Sequence, residues 1–550
     1  MRPGGCETEL LRVLAGMPFL DRLEMVEVSG WSRGAVYGAV EKLESGGFCA
    51  PAPHAADPLQ PTRRFHLTSA GLHRLAEQEG LTPDELIRRY PVSAQWRRSL
   101  MERLDALAAI YRLACAVSTV AFPVRFRWYR SLPLDAGLTL PGGRTVGILR
   151  QGLTADRTGF SKRLWRLRDG PLPGTVLMLM ADGVRLRHAR RLLSAAPVPA
   201  LLAVESAAAL AGAGERIWSP PAVNAALDLR YVLERAVPGG ELPAEDEPQR
   251  ATLPEDFAFD GPGWDIPDHL LPVLLKAAEK RALDIISDWP WVSLKELAGL
   301  LGVSQPRASQ LVNPLVGFGL VARPREAGGR LALTDRGLAL LARRDRTSLA
   351  VAKKRWSVAQ EDAQVVYDWR NVSGRNSRQL LRNLEHTAAV HAFLAALTGQ
   401  ARLLGWEVSQ LDSPRRASRY FRHQDRMRSV NPDAFGVLRK DGAAWPFFLE
   451  WERRAVRPST MSQRLAPYLS YFSSHRPTDD HGVRPSVLVV FDDDIAAGHF
   501  LRLAREEMQA NGVAVPLWVS HREAVERMGP LGRAWRAPGE WESPRALPPQ

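Results

Sequence analysis

Cysteine is scarce: Cys6, Cys49 and Cys115 are the three sulfhydryls in 550 residues, too few and too scattered for a disulfide framework or a cysteine zinc site. They read as reduced bystanders. Long apolar runs are missing as well. No stretch approaches the roughly 18 residues that cross a bilayer, and the first residues lack the apolar core of a secretory signal. The expectation is a cytoplasmic protein with no membrane partner. Lysine is the third scarcity, eight among 73 basic residues.

The basic charge is therefore arginine, and it outweighs acid: 73 Lys plus Arg against 60 Asp plus Glu, a net +13 and a pI near 10.0. A surplus of this kind suits a polyanionic partner, and the guanidinium fork binds phosphate and guanine edges bidentately. An Arg-rich, Lys-poor chain is equally what a GC-rich genome encodes, so composition divides evenly between the two readings. A hydrophobic content of 45% is ample for full cores, and the length implies about three to five domains. Residues 237–268, acidic and punctuated by Pro-Gly-Gly and Gly-Pro-Gly, predict a linker between two similar halves. Residues 538–550 hold four prolines and no apolar periodicity, which predicts a disordered tail.

The halves are related. Sliding the chain on itself by 272 positions places Leu11 on Leu283, Pro18 on Pro290, Glu24 on Glu296, Gly30 on Gly302, Ser32 on Ser304, Leu43 on Leu315 and Gly47 on Gly319 without a gap. That is an internal duplication. Each copy reads as two apolar helices, a glycine stop, and a third helix with Ser32 or Ser304 at its N-cap, which is helix-turn-helix spacing. A basic hairpin follows, then Thr-x-x-Gly-Leu-x-x-Leu-Ala at Thr68–Ala76 and Thr334–Ala342. Residues 6–80 and 270–345 resemble winged-helix domains of the transcription-regulator type. The resemblance makes Ser32–Glu44 and Ser304–Val316 recognition helices, with Arg33, Arg307 and Gln310 near the DNA.

An α/β segment follows each module. In the second, residues 380–537, a helix precedes Asn431-Pro432-Asp433 and a strand, a turn at Lys440-Asp441-Gly442, the strand Trp445–Arg453, a helix from Ser459 and the apolar strand Ser486–Phe491. This order resembles the PD-(D/E)xK, restriction-endonuclease-like fold. That motif works by metal geometry: carboxylates on neighbouring strands converge on magnesium, which prefers hard oxygen ligands and generates a hydroxide beside a phosphate. Asp433, Glu450 and Glu452 are the candidate catalytic and metal-ligating acids, the two glutamates sharing a strand face. Glu452 departs from the family, which usually has lysine there. Gln463, Arg464 and Tyr468 lie where the family often places further polar residues. Against this, Pro-Asp is a common turn opener and Glu-x-Glu is ordinary on a solvated strand face. The apolar neighbours Phe447, Phe448, Leu449 and Trp451 argue for a buried strand, where carboxylates need partners.

Residues 101–235 repeat the order in degenerate form, with Asp135 falling on Asp433 and Leu149–Gln151 in place of the glutamates. The Arg415–Arg428 stretch offers Arg419, Arg422, Arg426 and Arg428, with interleaved aromatics, as a seat for a phosphate backbone or an unpaired base. His386 and His391, five apart on one helix, read as core or surface residues rather than ligands. The fold class expected is α/β multi-domain: a tandem duplication of a winged helix-turn-helix followed by a restriction-endonuclease-like α/β domain.

The 270–345 module, the helix 382–397, Asn431-Pro432-Asp433 and the Phe-Phe-Leu-Glu-Trp-Glu strand together resemble the replication-relaxation family of plasmid and mobile-element proteins. The resemblance implies a DNA partner, double-stranded or locally single-stranded, and places a homo-oligomer or other replication and mobilisation proteins among the partners. It leaves two readings open: a magnesium-dependent nicking enzyme, or a non-catalytic regulator or replication accessory built on inactive nuclease-like scaffolds.

Overall fold

The structure is a computed structural model that describes residues 5–131, 133–195, 198–223, 225–235, 239–244, 252–256, 266–362, 366–452, 458–539 and 543–548. It divides into two compact units, Met1–Lys280 with Ala339–Ala352, and Arg281–Leu338 with Lys353–Gln550.

The first unit opens with helices α1 (Cys6–Gly16), α2 (Arg22–Ser29) and α3 (Arg33–Ser45), a hairpin of β1 (Cys49–Ala56) and β2 (Leu59–Leu67), and α4 (Ser69–Glu79). Asp21 and Glu24 form a reciprocal capping box at the start of α2, and Gly30 ends that helix in the left-handed region at φ 68°. Ser32 caps α3 through Ala35 N at 3.3 Å. Leu10, Leu11, Leu14, Met25, Val36, Val40 and Leu43 close a common core. After α5 (Leu104–Ser118) come β3 (Arg125–Trp128), β4 (Ala136–Thr139), β5 (Thr145–Gln151), α6 (Arg157–Arg168), β6 (Thr175–Met180), α7 (Gly183–Ala195), β7 (Ala200–Val204) and α8 (Glu205–Leu210). The strands form one sheet in the order β3-β4-β5-β6-β7, the first two pairings antiparallel and the last two parallel.

The second unit takes up the same order within α9 (Ala277–Asp288), continuing through α10 (Leu294–Leu301), α11 (Gln305–Gly317), β8 (Val321–Ala322), β9 (Ala332–Leu333) and the first residues of α12 (Asp335–Arg344). Its longer helix is α13 (Leu384–Leu403), followed by β10 (Glu407–Asp412), the hairpin β11 (Arg419–His423) and β12 (Arg426–Val430), then β13 (Ala434–Lys440), β14 (Ala443–Glu452), α14 (Pro458–Phe472), β15 (Ser486–Phe491), α15 (Asp494–Asn511), β16 (Leu517–His521) and α16 (Arg522–Met528). The sheet order is β10-β13-β14-β15-β16, again two antiparallel and two parallel pairings. Strand β14 is buried on both faces, with Phe393 of α13 against Trp451 and Tyr468 of α14 against Phe448. Its near-continuous apolar run follows from that double cover.

Agreement between the units extends to single contacts. Ser293 and Glu296 box α10 as Asp21 and Glu24 box α2. Phe19 and Trp291, 272 positions apart, share a positive φ of 69° and 68°. Thr68 Oγ1 donates to Gly47 O and accepts from Gly71 N; Thr334 does the same with Gly319 and Gly337. Ser118 of α5 donates to Glu27 O, and Thr398 of α13 to Gly299 O, so the same helix pair is stitched in both.

Three expectations need correction. The tail expected as disordered from Pro538 folds back where it is described: Arg545 and Trp535 exchange backbone hydrogen bonds, and Leu547 is buried. Arg536 pairs with Val519 of β16, so the segment extends an otherwise open sheet edge, as Ser219 does on Leu202 of β7. Residues 540–542, 549 and 550 lie outside the described set. The expected linker 237–268 is held down in its described parts. Leu242 packs over Gly137 and Tyr129, Tyr129 donates to Pro243 O, and Asp256 accepts from Ser69 N at 3.0 Å; residues 237–238, 245–251 and 257–265 are not described. The expected module 270–345 does not lie within one unit, since the residues from Ala339 onward group with the first.

Candidate functional site

Both third helices present their N-terminal turn to solvent. Ser32, Arg33 and Gly34 are exposed at the start of α3, and Gln305, Pro306, Arg307 and Gln310 at the start of α11, while Val36, Val40, Val312 and Leu315 face inward. The apolar spacing buries one side and leaves the other free for contact; Ser32 caps α3, whereas the Ser304 side chain makes no cap bond to α11. Arg33 lies over the Tyr37 ring at 5.2 Å, and Arg307 Nη1 donates to Gln310 Oε1 at 3.1 Å. The predicted contact residues are thus surface residues of one helix face.

The acidic residues gather at β13 and β14. Asp433 precedes β13 in the register that pairs Ala434 with Leu449, which sets it opposite Glu450. Its Oδ2 accepts the Trp451 amide at 2.8 Å and its Oδ1 lies 2.9 Å from His386 Nε2. Glu450 and Glu452 share the strand face that meets α14 and line a cavity of about 290 Å³ together with Asn431, Gln463, Arg464 and Tyr468. The Tyr468 hydroxyl donates to Glu450 Oε1 at 2.5 Å. Burial, and after it the charge of Asp433, push the Glu450 carboxyl up to about 8, against the hydrogen bond from Tyr468 and the charge of Arg464.

The third acid is differently engaged. Glu452 is almost fully buried and ion-paired with Arg464 from α14. Among the described residues no group of three or more His, Cys, Asp or Glu is placed to hold a metal ion. The structure thus brings Asp433 and Glu450 together and closes Glu452 with an arginine.

In the first unit the matching aspartate is sealed. Asp135 Oδ2 accepts Arg150 N at 2.7 Å, the same backbone bond that Trp451 gives Asp433. Arg103, Arg163 and Arg346 then converge on it at 3.0, 2.7 and 2.9 Å. Leu149 and Gln151 stand where the second unit has Glu450 and Glu452, because Ile148 pairs with Ala136 as Leu449 pairs with Ala434. Burial opposes ionisation of Asp135, but the three guanidinium groups overwhelm it and hold the carboxyl far below its ordinary range. This is a closed ion cluster rather than an open acid.

The basic stretch becomes the hairpin β11–β12, and here one expected DNA contact is overturned. Arg419 is buried, spends its Nη1 on the carbonyls of Arg416, Ala417 and Ser418, and lies over Phe435 at 4.6 Å. Alternation explains it: Arg419 and Phe421 face inward, and Tyr420 and Arg422 outward. Arg422, Arg426 and Arg428 are exposed, yet none lines the Glu450 cavity; Ser429, Val430 and Asn431 do. Sequence reasoning missed His386, read as a bystander and found on Asp433. It also missed the partners of Glu24 and Glu296, which are the buried Arg64 and the half-buried Arg330.

Residues 304–487 match the family model described as replication-relaxation. No curated protein and no solved structure matches the chain. No described helix is long and apolar enough to cross a membrane.

Proposed function

We propose that this chain is a DNA-binding protein of plasmid or mobile-element replication and relaxation, in which two winged-helix modules hold duplex DNA and a restriction-endonuclease-like sheet carries the acidic site. The family match over 304–487 supports the biological setting. The observation that carries DNA binding is the exposed start of α3 and α11, each bearing an arginine in its first turn, Arg33 at the first position of α3 and Arg307 at the third of α11. A helix N-terminus with Arg33 or Arg307 on it suits a phosphate or a guanine edge. Duplex binding by fluorescence anisotropy across a salt series tests this. An Arg33→Ala/Arg307→Ala variant loses about 1–3 kcal/mol for each bidentate base contact, or a shallower salt slope for phosphate contacts. Unchanged affinity and slope assign these helices to packing or protein contacts.

A second reading, magnesium-dependent nicking, is favoured by one observation: Asp433 and Glu450 stand half-buried opposite each other on neighbouring strands, with Glu450 driven towards its neutral form, a strain that a cation relieves. These two suit magnesium as ligands; Glu452 joins them only if Arg464, itself half exposed, gives it up. The ion would supply charge neutralisation and an acidified water beside a phosphate. The chain's own groups do the rest: Tyr468 orients Glu450, His386 and the Trp451 amide fix Asp433, and Gln463 offers a polar group to the cavity. Calorimetry with magnesium or manganese on wild type and Asp433→Ala decides: heat lost in the variant supports it, and no heat in wild type leaves a non-catalytic accessory or regulator.

A further inference from the structure

A second cavity in the same unit, about 410 Å³, has Asp433 and His386 in its wall but not Glu450. Its remaining lining is unlike that of the acidic cavity. Arg355, Arg375 and Arg415 supply three cations, and Trp356 and Tyr420 supply aromatic faces. The two carboxylates in the wall are already engaged, Asp288 with Arg416, and Asp433 with His386 and the Trp451 amide. The cavity is therefore net positive, and its volume falls in the range of about 300–1,000 Å³ that small ligands occupy.

Two residues of this wall carry a fully buried ring nitrogen with no hydrogen-bond partner among the described residues. His391 is 4% exposed, yet its Nδ1 has no hydrogen-bond partner among the described residues, Glu296 Oε2 being 3.9 Å away. The buried indole N–H of Trp356 is likewise unpartnered. Burial holds His391 neutral, so its ring can give or take one hydrogen bond. Three arginines beside aromatic faces match a ligand with a flat ring and an anion.

We propose that this cavity binds one unpaired nucleotide of a DNA strand, its phosphate on the arginines and its base against Trp356 and Tyr420. The proposal rests on the DNA-binding reading and names the form of DNA that this unit takes. The hairpin β11–β12 joins the two cavities: Tyr420 of β11 lines this one, and Ser429 and Val430 of β12 line the one with Glu450. A strand following the hairpin leaves a base in one cavity and a neighbouring phosphate at the other. Tyr420 is 56% exposed.

The test uses the full chain and 5′-dAMP in calorimetry, with inorganic phosphate and deoxyadenosine as the separate halves of the ligand. Saturable dAMP binding is expected, tighter than either half, and weakened about tenfold in Arg415→Ala and in Tyr420→Ala, a loss of about 1.4 kcal/mol. Both residues are exposed, so the variants are expected to fold, and circular dichroism checks it. No dAMP binding at millimolar concentration, or binding untouched by both variants, overturns the proposal, and equal affinity for inorganic phosphate replaces it with a plain anion site. Duplex binding on the same preparations separates the failures. Duplex bound without dAMP sinks this pocket alone, whereas dAMP bound without duplex sinks the winged-helix reading alone.

Discussion

Arg64 forks both terminal nitrogens onto Glu24, at 2.8 and 3.1 Å, with neither side chain reaching water. Its Nη1 also donates to Phe19 O, and Glu24 accepts the amide of Asp21. Arg330 repeats this on Glu296 at 2.9 and 3.4 Å, with Nη1 donating to Trp291 O and Glu296 accepting from Ser293 N. One arginine thus ties the hairpin to the turn leading into the second helix and to that helix's capping box, twice in one chain.

The two pairs differ in burial, and that sets the first prediction. Arg64 and Glu24 are 1% and 0% exposed, against 16% and 9% for Arg330 and Glu296. Removing one partner of a fully buried pair strands the other without solvent. Arg64→Ala is expected to cost about 3–5 kcal/mol. Arg330→Ala costs less, because water reaches Glu296. Denaturant unfolding, resolved by hydrogen exchange in α2 and α10, checks the order; equal losses contradict it.

A glycine in each module makes the second prediction. A Cβ on Gly71 would stand 1.9 Å from Phe48 O, and one on Gly337 2.3 Å from Leu320 O, backbone atoms that cannot move aside alone. Gly34, on the exposed turn of α3, has nothing within 4 Å. Gly71→Ala and Gly337→Ala should each lower the melting temperature. Gly34→Ala should raise helix stability by up to about 1 kcal/mol, and a melting curve for each variant is sufficient to compare them.

How much of this was legible in the sequence follows from the range of each signal. The glycine stops, the serine caps and the 272-residue register act within a few positions, so Gly30, Gly302 and Ser32 could be read directly. The order of elements along the chain was readable from apolar runs and turns as far as β15, though the edge strand β16 was not, and the register of β13 on β14 sets Asp433 opposite Glu450. Long-range partners carry no local signal. Arg64 and Arg330 each lie more than 30 residues from the glutamate they pair with, and Arg346 lies 211 from Asp135. His386 was set aside because helix spacing says which face a histidine is on and nothing of what faces it. The fate of Arg419 was readable in principle: strict alternation with Tyr420 requires one of the pair to point inward.

Asp135 and Asp433 give the third prediction, since the same backbone bond is surrounded by opposite chemistry. Asp135→Asn leaves Arg103, Arg163 and Arg346 buried without their counter-charge and is expected to cost the first unit about 3–5 kcal/mol. Asp433→Asn gives up a single histidine contact and one charged acceptor, for about 1–2 kcal/mol. The Asp135 carboxyl is depressed, so its contribution is present above the unfolded value near pH 3.8 and disappears only as pH falls through the folded one. Acid should therefore unfold the first unit late, and Asp135→Asn should remove that resistance. If hydrogen exchange shows β4 and β5 equally protected in wild type and variant, the cluster is not what holds this sheet.

Glu450 behaves in the opposite sense and makes the last prediction. Its folded value, about 8, stands above the ordinary 4.5 because burial, and then Asp433, penalise the charged form. Between those two values the folded protein keeps a proton that the unfolded chain has released, so stability falls as pH rises through this window and levels off above it. Glu450→Gln keeps the shape and cannot ionise. Its stability should lack this downward slope, and at pH 9 it should exceed wild type. If the nicking reading holds, magnesium must expel the proton: its affinity climbs from pH 6 to about 8, then flattens, and Glu450→Gln loses that climb. Thermal unfolding at pH 6, 7, 8 and 9, with and without magnesium, reads both effects. Wild type and Glu450→Gln running parallel without the ion would mean that Glu450 is already ionised, and the pair with Asp433 would then need another cation to explain it.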